Sequence, residues 1–260
     1  MPTHDAPSAP PADPLDEARL AAGGGEAKRG YVQGIFSDIA PRYDLLNHLL
    51  SANIDRIWRR RAIRRLGWER APHGRYLDLC AGTLDVSAQL SDTRGFEGRV
   101  VAADFAEPML RAGERKLEGR RIAPVVGDAL QLPLPDGSMD GAIVAFGVRN
   151  LADLDAGFRE VHRVLRPGAR FVVLEFSTPR SRPVRAVYHL YFRHVLPLVG
   201  RLVSGHESAY RYLPESVARF PVEEELAARL RAAGFSTVTW ERLTFGIAAV
   251  HVATRGGEAA

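Results

Sequence analysis

The chain has 260 residues, 46% of them hydrophobic and 25% charged, which is the composition of a folded globular protein with one sizeable core. Its single cysteine, Cys80, excludes an internal disulfide, and the N-terminus lacks the pattern of a secretory signal, so we expect a reducing, cytoplasmic setting. The formal net charge of +4 fits an arginine-rich composition, and we predict no nucleic-acid partner and no membrane-spanning segment.

Two regions precede the main body of the chain. Residues 1–28 are rich in proline and glycine and offer few large apolar side chains, which predicts a disordered tail. Between Tyr31 and Leu66, apolar residues recur at helical spacing in two blocks, and Pro41 kinks or divides the first. We expect residues 29–70 to form a helical lid within a single domain that spans residues 29–260.

Short apolar runs alternate with helical patterns after Pro72. This alternation predicts βαβ units, and therefore an α/β fold with a mostly parallel sheet covered by helices on both faces. Residues 183–220 interrupt the rhythm as an arginine- and aromatic-rich helical insert, and the two closing strands are close enough in sequence to pair antiparallel. The predicted strands are 76–80, 99–104, 122–126, 139–146, 170–176, 237–242 and 245–254, and the predicted helices are 84–90, 107–117, 154–165 and 222–233.

The loop after the first strand is the first candidate binding element. In an open parallel sheet, ligands bind beyond the carboxyl ends of the strands. Here the loop offers Gly82, where the backbone can approach a ligand closely, and Thr83, which is placed to help cap the next helix. Asp104 closes the second strand about 20 residues after Gly82, the spacing at which a carboxylate holds the two hydroxyls of a ribose.

Further candidates lie at neighbouring strand ends. Asp78 belongs to the first strand, and Asp128 with Ala129 follows the third, where the carboxylate is placed to meet an adenine edge. A dinucleotide would need a G-x-G-x-x-G turn for its pyrophosphate, and only one of those glycines is present. S-adenosylmethionine has no phosphate, so the sequence favours this cofactor and methyl transfer.

Several segments carry a resemblance to one family. Those that look specific to it are the pair Tyr43 and Asp44, the run Phe146, Gly147, Val148, Arg149 and Asn150, and the run Tyr210, Arg211, Tyr212 and Leu213; residues 76–85, 104, 108–110 and 175–177 also match. From about Tyr31 onward the chain resembles the quinone-biosynthesis C-methyltransferases that act on demethylmenaquinol and on the corresponding ubiquinone precursor. The resemblance implies a class I, Rossmann-like methyltransferase fold, with seven strands and the last one antiparallel. It also implies S-adenosylmethionine contacts at Thr83, Asp104, Asp128 and Ala129, with Tyr43 on the lid.

The first loop departs from the family pattern. Leu84 stands where the family keeps glycine, and a branched side chain is poorly suited to a positive φ, so we expect Leu84→Gly to bind the cofactor more tightly. Ala145 stands where family members often carry a serine that contacts the cofactor. These two departures keep open a non-catalytic nucleoside-binding relative, and a nucleotide-dependent oxidoreductase is disfavoured by the missing glycines.

The catalytic candidates are Arg149 and Asn150, directly after the fourth strand. Their proposed role is to orient the ring of a reduced quinone and to stabilise the negative charge that forms as a hydroxyl loses its proton. The alternative is that Arg149 merely pairs with Asp153 or Asp155. The spacing of His189, His194 and His206 fits no common metal site, so we predict no metal.

The resemblance also implies the methyl acceptor, and the insert at 183–220 bears on where in the cell the protein meets it. The family's substrate is a lipophilic quinol with a polyprenyl tail, and demethylmenaquinol is favoured over the benzoquinol precursor of ubiquinone. The insert at 183–220 mixes apolar and arginine side chains, which fits peripheral contact with the inner face of the cytoplasmic membrane as well as simple packing on the sheet. A homo-oligomer is compatible with the sequence.

Overall fold

The computed structural model of the protein describes residues 25–40, 43, 51, 53–191 and 207–257. Its centre is a seven-stranded sheet in the order β3-β2-β1-β4-β5-β7-β6. The first five strands pair parallel, and β7 runs antiparallel to both of its neighbours, so the predicted class is confirmed. The strands are β1 (Arg75–Leu79), β2 (Arg99–Asp104), β3 (Ile122–Val126), β4 (Met139–Ala145), β5 (Leu165–Phe176), β6 (Phe235–Leu243) and β7 (Ala248–Arg255).

Eight α-helices lie within the described residues. They are α1 (Gly25–Ile39), α2 (Ile54–Leu66), α3 (Asp85–Ser91), α4 (Glu107–Ala112), α5 (Leu154–Val164), α6 (Arg182–Leu190), α7 (Glu207–Arg219) and α8 (Glu223–Ala232). No helix in this part of the chain is long and apolar enough to cross a bilayer.

Helices cover both faces of the sheet, as predicted. On one face, Phe158 and Val161 of α5 and Leu230 of α8 pack with alternate strand residues such as Leu77 and Val173. On the other, Trp58, Ile63 and Leu66 of α2 and Leu90 of α3 pack with strand residues that include Tyr76 and Val172. The alternation follows from the two-residue repeat of a strand, which sends successive side chains to opposite faces.

Two predicted boundaries are wrong for identifiable reasons. The helix predicted at 107–117 breaks at Gly113, where a Cβ would lie 2.5 Å from the Thr83 carbonyl oxygen, and a 3₁₀ turn (Glu114–Leu117) follows. The fifth strand begins at Leu165 rather than residue 170, because Leu165 already pairs with Met139 before a register shift.

The N-terminal helices have different roles. α1 begins at Gly25, inside the segment predicted as a tail, and buries Val32 and Ile35 against Tyr188 of α6 and Tyr212 of α7. α2 instead forms part of the core on the sheet face, whereas Phe36 of α1 and Tyr43 line a cavity at the sheet edge. The expectations for Asp44, His194 and His206, and for the side chains of Tyr210 and Arg211, lie outside the described residues.

Candidate active site

A cavity opens at the carboxyl ends of β1, β2 and β4. Its polar lining comes from Asp104 and Asn150 and from the backbone around Gly82 and Gly147. Apolar walls are formed by Phe36 and Tyr43 of the lid region and by Phe105, Met109, Phe146 and Leu151, with Cys80 and Ala145 completing the lining. The structure therefore brings together four of the predicted site residues, namely Gly82, Asp104, Asn150 and Tyr43.

The backbone around this cavity is unusual. Cys80, Leu84 and Phe146 adopt positive φ angles of 52°, 69° and 61°, and Gly82 has a φ of 54°. A Cβ at Gly147 would lie 2.5 Å from the Cβ of Cys80, so the loops after β1 and β4 touch at a position that only glycine fits. Such strained backbone collects where a loop must be held in one shape for binding.

Asp104 ties the first two loops together. Its carboxylate accepts hydrogen bonds from the backbone N–H of Gly82 at 2.8 Å and of Ala106 at 2.9 Å. Burial raises the pKa of Asp104 despite these hydrogen bonds. A carboxylate has about four lone-pair sites. The backbone N–H of Phe105 also hydrogen-bonds to this carboxylate, so one site remains to accept from a ribose hydroxyl.

Asp78 and Thr83 lie behind the first loop and do not line the cavity. The Asp78 carboxylate accepts from the Ser87 backbone N–H at 2.9 Å and from its hydroxyl at 2.6 Å, and burial raises the pKa of Asp78 to about 7. The Thr83 carbonyl accepts from Lys116 Nζ at 2.8 Å, and the N-cap of α3 is Leu84 rather than Thr83. These two predicted contacts hold the loop in shape instead of facing the cavity.

Leu84 has the strained conformation expected for a leucine in a glycine position. Its side chain, however, is fully buried with Ala81, Ala102 and Leu110, on the side of the loop away from the cavity. The leucine therefore does not narrow the cavity, and its removal would leave a hole in the core. We no longer expect Leu84→Gly to tighten cofactor binding.

Asp128 and Ala129 also lie outside the cavity lining. One Asp128 oxygen accepts from the Leu130 backbone N–H at 2.9 Å, and the other pairs with Arg29 of α1, also at 2.9 Å. Ala129 is buried in the main core. A contact between Asp128 and an adenine edge would therefore compete with the ion pair that holds α1 down.

Arg149 forms a buried ion pair that the sequence did not predict. Its guanidinium donates to Glu175 at 2.9 Å and also to the carbonyl oxygen of Phe146. The predicted alternative, in which Arg149 pairs with Asp153 or Asp155, is wrong, because Asp153 caps α5 and Asp155 pairs with Arg229. Arg149 lies just behind its neighbour Asn150, whose buried Oδ1 has no hydrogen-bond partner among the described residues.

A second, more apolar cluster of packed side chains, from α1, α6 and α7, lies within electrostatic range of this pair. Tyr212 is 3% exposed and feels the charges of Arg149 and Glu175, and its hydroxyl has no hydrogen-bond partner within the described parts of the chain. Burial raises the pKa of Tyr212 to about 12. Tyr188 shares the same cluster and the same two charged neighbours. We call this cluster, with Phe176 and Ile247, the tyrosine chamber.

Lys28 of α1 is partly buried within electrostatic range of Arg149. The sequence analysis did not single it out, because it assigned residues 1–28 to a disordered tail. Burial, and secondarily the positive charge of Arg149, lowers the pKa of Lys28 to about 8. Lys28 precedes Val32, Ile35 and Ile39 at helical spacing on the buried stripe of α1. From that spacing, the sequence alone could have predicted both the helix and the inward direction of the Lys28 side chain.

Comparisons with known proteins identify the family and the fold of the chain. A demethylmenaquinone methyltransferase from Thermus thermophilus is 52% identical over 223 residues, covering 85% of this chain and 100% of that protein. A ubiquinone/menaquinone biosynthesis C-methyltransferase UbiE from Geobacter sulfurreducens is 42% identical over 229 residues, covering 86% and 88%. Among solved structures, a SAM-dependent methyltransferase from Thermotoga maritima shares the fold with a TM-score of 0.61 at 18% identity, covering 85% and 98%. The sequence profile of one family matches residues 24–255, which confirms the resemblance: the chain belongs to the ubiE/COQ5 methyltransferase family.

Proposed function

We propose that this methyltransferase transfers a methyl group from S-adenosylmethionine to a ring carbon of demethylmenaquinol, giving menaquinol. Membership of the family makes the chain a C-methyltransferase of quinone biosynthesis that uses S-adenosylmethionine. The naphthoquinol acceptor is the finer part of the proposal. It is supported by the name of the Thermus relative, whereas the name of the Geobacter relative covers both quinones.

The residues of the cavity fit S-adenosylmethionine. Asp104 keeps an acceptor site for a ribose hydroxyl, Gly82 presents backbone where a side chain would intrude, and Phe105 and Met109 offer apolar surface to an adenine. Asn150 Oδ1 is buried without a hydrogen-bond partner among the residues that the structure describes, as expected of an acceptor that binds a ligand. When bound, the cofactor supplies a methyl group already activated by the sulfonium. Asp78 and Thr83 then act indirectly, by fixing the loop.

The acceptor side is assigned to the tyrosine chamber and to Arg149. A ring carbon of a quinol becomes nucleophilic as the neighbouring hydroxyl loses its proton, and a phenolic pKa is near 10. Arg149 is a fixed cation oriented by Glu175, so it stabilises the oxyanion that forms. Lys28 of α1 is partly buried within electrostatic range of Arg149, and in this proposal its neutral amine takes the hydroxyl proton.

The protein also has to position the acceptor ring for methyl transfer. Methyl transfer is an in-line displacement, so the protein must hold the ring carbon on the line through the methyl group. Phe146 lines the cavity and its ring centroid lies 4.6 Å from that of Phe176 in the tyrosine chamber, while Arg149 lies over the Phe176 ring at 5.6 Å. Tyr43 and Phe36 meet edge to face at 5.8 Å over the cavity mouth and exclude water there.

The observation that carries the proposal is that Phe146 lines the cavity and also accepts a hydrogen bond from Arg149 of the buried Arg149–Glu175 pair. The test is transfer of a labelled methyl group from S-adenosylmethionine to short-chain acceptors, with a reduced demethylnaphthoquinol compared with the reduced benzoquinol precursor. We expect a higher kcat/KM for the naphthoquinol. Preference for the benzoquinol would reverse the acceptor assignment. Binding of the cofactor without transfer to either acceptor would instead favour a non-catalytic relative.

An acceptor with a polyprenyl tail resides in a bilayer. We therefore propose that the protein works at the inner surface of the cytoplasmic membrane, as a peripheral protein. The apolar side chains that α6 and α7 contribute to the tyrosine chamber support this view, because an apolar tail needs an apolar path to the site.

A further inference from the structure

Phe245 is the most exposed large apolar side chain among the described residues, at 81%. It lies in the 3₁₀ turn between β6 and β7 (Thr244–Gly246), and its φ of 58° is in the left-handed region that an aromatic residue rarely adopts. Thr244 before it and Gly246 after it also have positive φ angles. Exposure and strain both cost free energy, and a residue that keeps both is a candidate for a function.

The turn that carries Phe245 is held in place from two sides. Trp58 of α2 donates from Nε1 to the Thr244 hydroxyl at 2.8 Å, and Ser177 donates from its hydroxyl to the Gly246 carbonyl at 2.8 Å. Because Ala248 pairs with Phe176 at the carboxyl end of β5, the turn lies at the same edge of the sheet as the cavity. Phe245 is thus presented on a rigid support, beside the site.

Other apolar side chains are exposed around this turn. Ile57, 61% exposed, precedes the Trp58 that binds the turn. On α6, Val187 and Leu190 are 67% and 61% exposed, and Tyr188 between them packs into the tyrosine chamber together with Ile247. The exposed side chains therefore lie on two helices, α2 and α6, that contact this turn through Trp58 and Tyr188.

Arginines flank these apolar residues. Arg56 and Arg60 are exposed on α2 next to Ile57, and Arg182 is exposed at the start of α6. None of the three has an ion pair with any described residue, whereas Arg61 and Arg65 of α2 both pair with Glu241. Unpaired cations around exposed apolar side chains are complementary to an anionic lipid surface.

We propose that Phe245, Ile57, Val187 and Leu190, with Arg56, Arg60 and Arg182, form a docking surface for an anionic lipid bilayer. We call it the Phe245 surface. It rests on the proposed function, because docking here would place the tyrosine chamber against the membrane that holds the acceptor. A strained aromatic residue at the tip of a tight turn suits insertion among lipid headgroups, and the arginines suit their phosphates.

The test is co-sedimentation of the full-length protein with vesicles of phosphatidylcholine, with and without phosphatidylglycerol. We expect binding that depends on phosphatidylglycerol and weakens with salt. Phe245→Asn should reduce the partition coefficient at least about tenfold, because one buried aromatic side chain is lost from the lipid phase. Asparagine tolerates a left-handed φ, so this variant keeps the turn. Phe245→Trp should retain binding.

The charge contribution has a matched control. The triple variant Arg56→Gln/Arg60→Gln/Arg182→Gln should bind phosphatidylglycerol vesicles about a hundredfold less, because each cation near an anionic surface contributes about fivefold. Arg70, Arg75 and Arg99 are exposed at the opposite, amino edge of the sheet. Their triple glutamine variant has the same net charge and should bind like the wild type. Equal losses in both variants would overturn the proposal.

Two further outcomes are decisive. If Phe245→Asn leaves vesicle binding unchanged but shifts the mass in solution toward monomer, the surface binds a second copy of the chain and the proposal fails. Methyl transfer to a short-chain, water-soluble quinol should be unaffected by Phe245→Asn, while transfer to a vesicle-embedded acceptor should show a raised KM. Failure of transfer to the soluble quinol in the wild type would contradict the proposed function and leave the vesicle result standing.

Discussion

Arg149 and Glu175 form an ion pair at 2.9 Å in which both side chains are almost completely withdrawn from water, at 8% and 2% exposure. Burial raises the pKa of Glu175, opposed chiefly by the charge of Arg149. A buried ion pair is rarely more stabilising than an apolar pair of the same size. We therefore propose that the pair lies beside the cavity to provide a fixed, oriented cation there.

The pair makes a direct prediction for stability and activity. Arg149→Leu leaves Glu175 buried without a partner and should lower the free energy of unfolding by about 3–5 kcal/mol. The double variant Arg149→Leu/Glu175→Leu should recover most of that loss in denaturant unfolding. Both variants should lose at least about tenfold in kcat, because the cation that stabilises the oxyanion is gone. The affinity for S-adenosylmethionine, measured by calorimetry, should change little in the double variant.

Arg149→Lys is the matched control for charge without the planar fork. Lysine keeps the charge but loses the geometry that holds both Glu175 and the Phe146 carbonyl. We expect intermediate activity. Wild-type turnover in the double leucine variant would exclude any catalytic part for Arg149.

The proton-transfer role of Lys28 predicts a pH dependence. Because the amine must be neutral and the pKa of Lys28 is lowered to about 8, kcat should rise with pH through about 8. Lys28→Met should lower kcat at pH 8 by about a hundredfold and move the rise toward the phenolic pKa near 10.

Lys28→Arg separates proton transfer from charge. Arginine keeps the positive charge next to the quinol but stays protonated, so this variant should lose the same rise as Lys28→Met. If Lys28→Arg keeps the wild-type pH profile, the residue contributes charge alone and another group accepts the proton.

The sequence predicted the sheet and the residues at its carboxyl edge because both follow local rules. Strand–helix alternation gave the parallel sheet, and Asp104 was placed by its distance from Gly82. The partner of Arg149 was not predictable this way, since Glu175 is 26 residues away on the neighbouring strand. Lys28 was missed for a different reason, because the glycines just before it suggested a tail where a helix begins.

Substitutions at Gly82 and Leu84, which lie in the same loop, should affect different properties of the protein. Gly82→Ala would place a methyl group 3.4 Å from the Met109 side chain at a strained φ, so it should weaken S-adenosylmethionine binding. Leu84→Gly relieves about 1–2 kcal/mol of left-handed strain but removes a fully buried side chain, which costs about 2–5 kcal/mol. We expect Leu84→Gly to lower the Tm without tightening the cofactor. Tighter binding by calorimetry would show that the leucine does distort the site.

Asp78 predicts how stability changes with pH. Its pKa is raised to about 7 in the folded protein, from an ordinary value near 4 in the unfolded chain, so the native state holds a proton that the unfolded state releases between these values. Stability therefore falls as pH rises through this window. Asp78→Asn cannot ionise, and its amide oxygen still accepts from Ser87. The difference in Tm between Asp78→Asn and the wild type should become more positive from pH 5 to pH 8.

The pKa shift of Asp92 has the opposite sign to that of Asp78, because the hydrogen-bonded Arg120 lowers the pKa of the Asp92 carboxyl. Asp92→Asn removes a carboxylate that is favoured in the folded state, so it should lower the Tm slightly and by the same amount across this pH range. A Tm difference for Asp78→Asn that is equally flat with pH would mean that Asp78 is ionised throughout, and that Arg59, the nearby cation, offsets its burial.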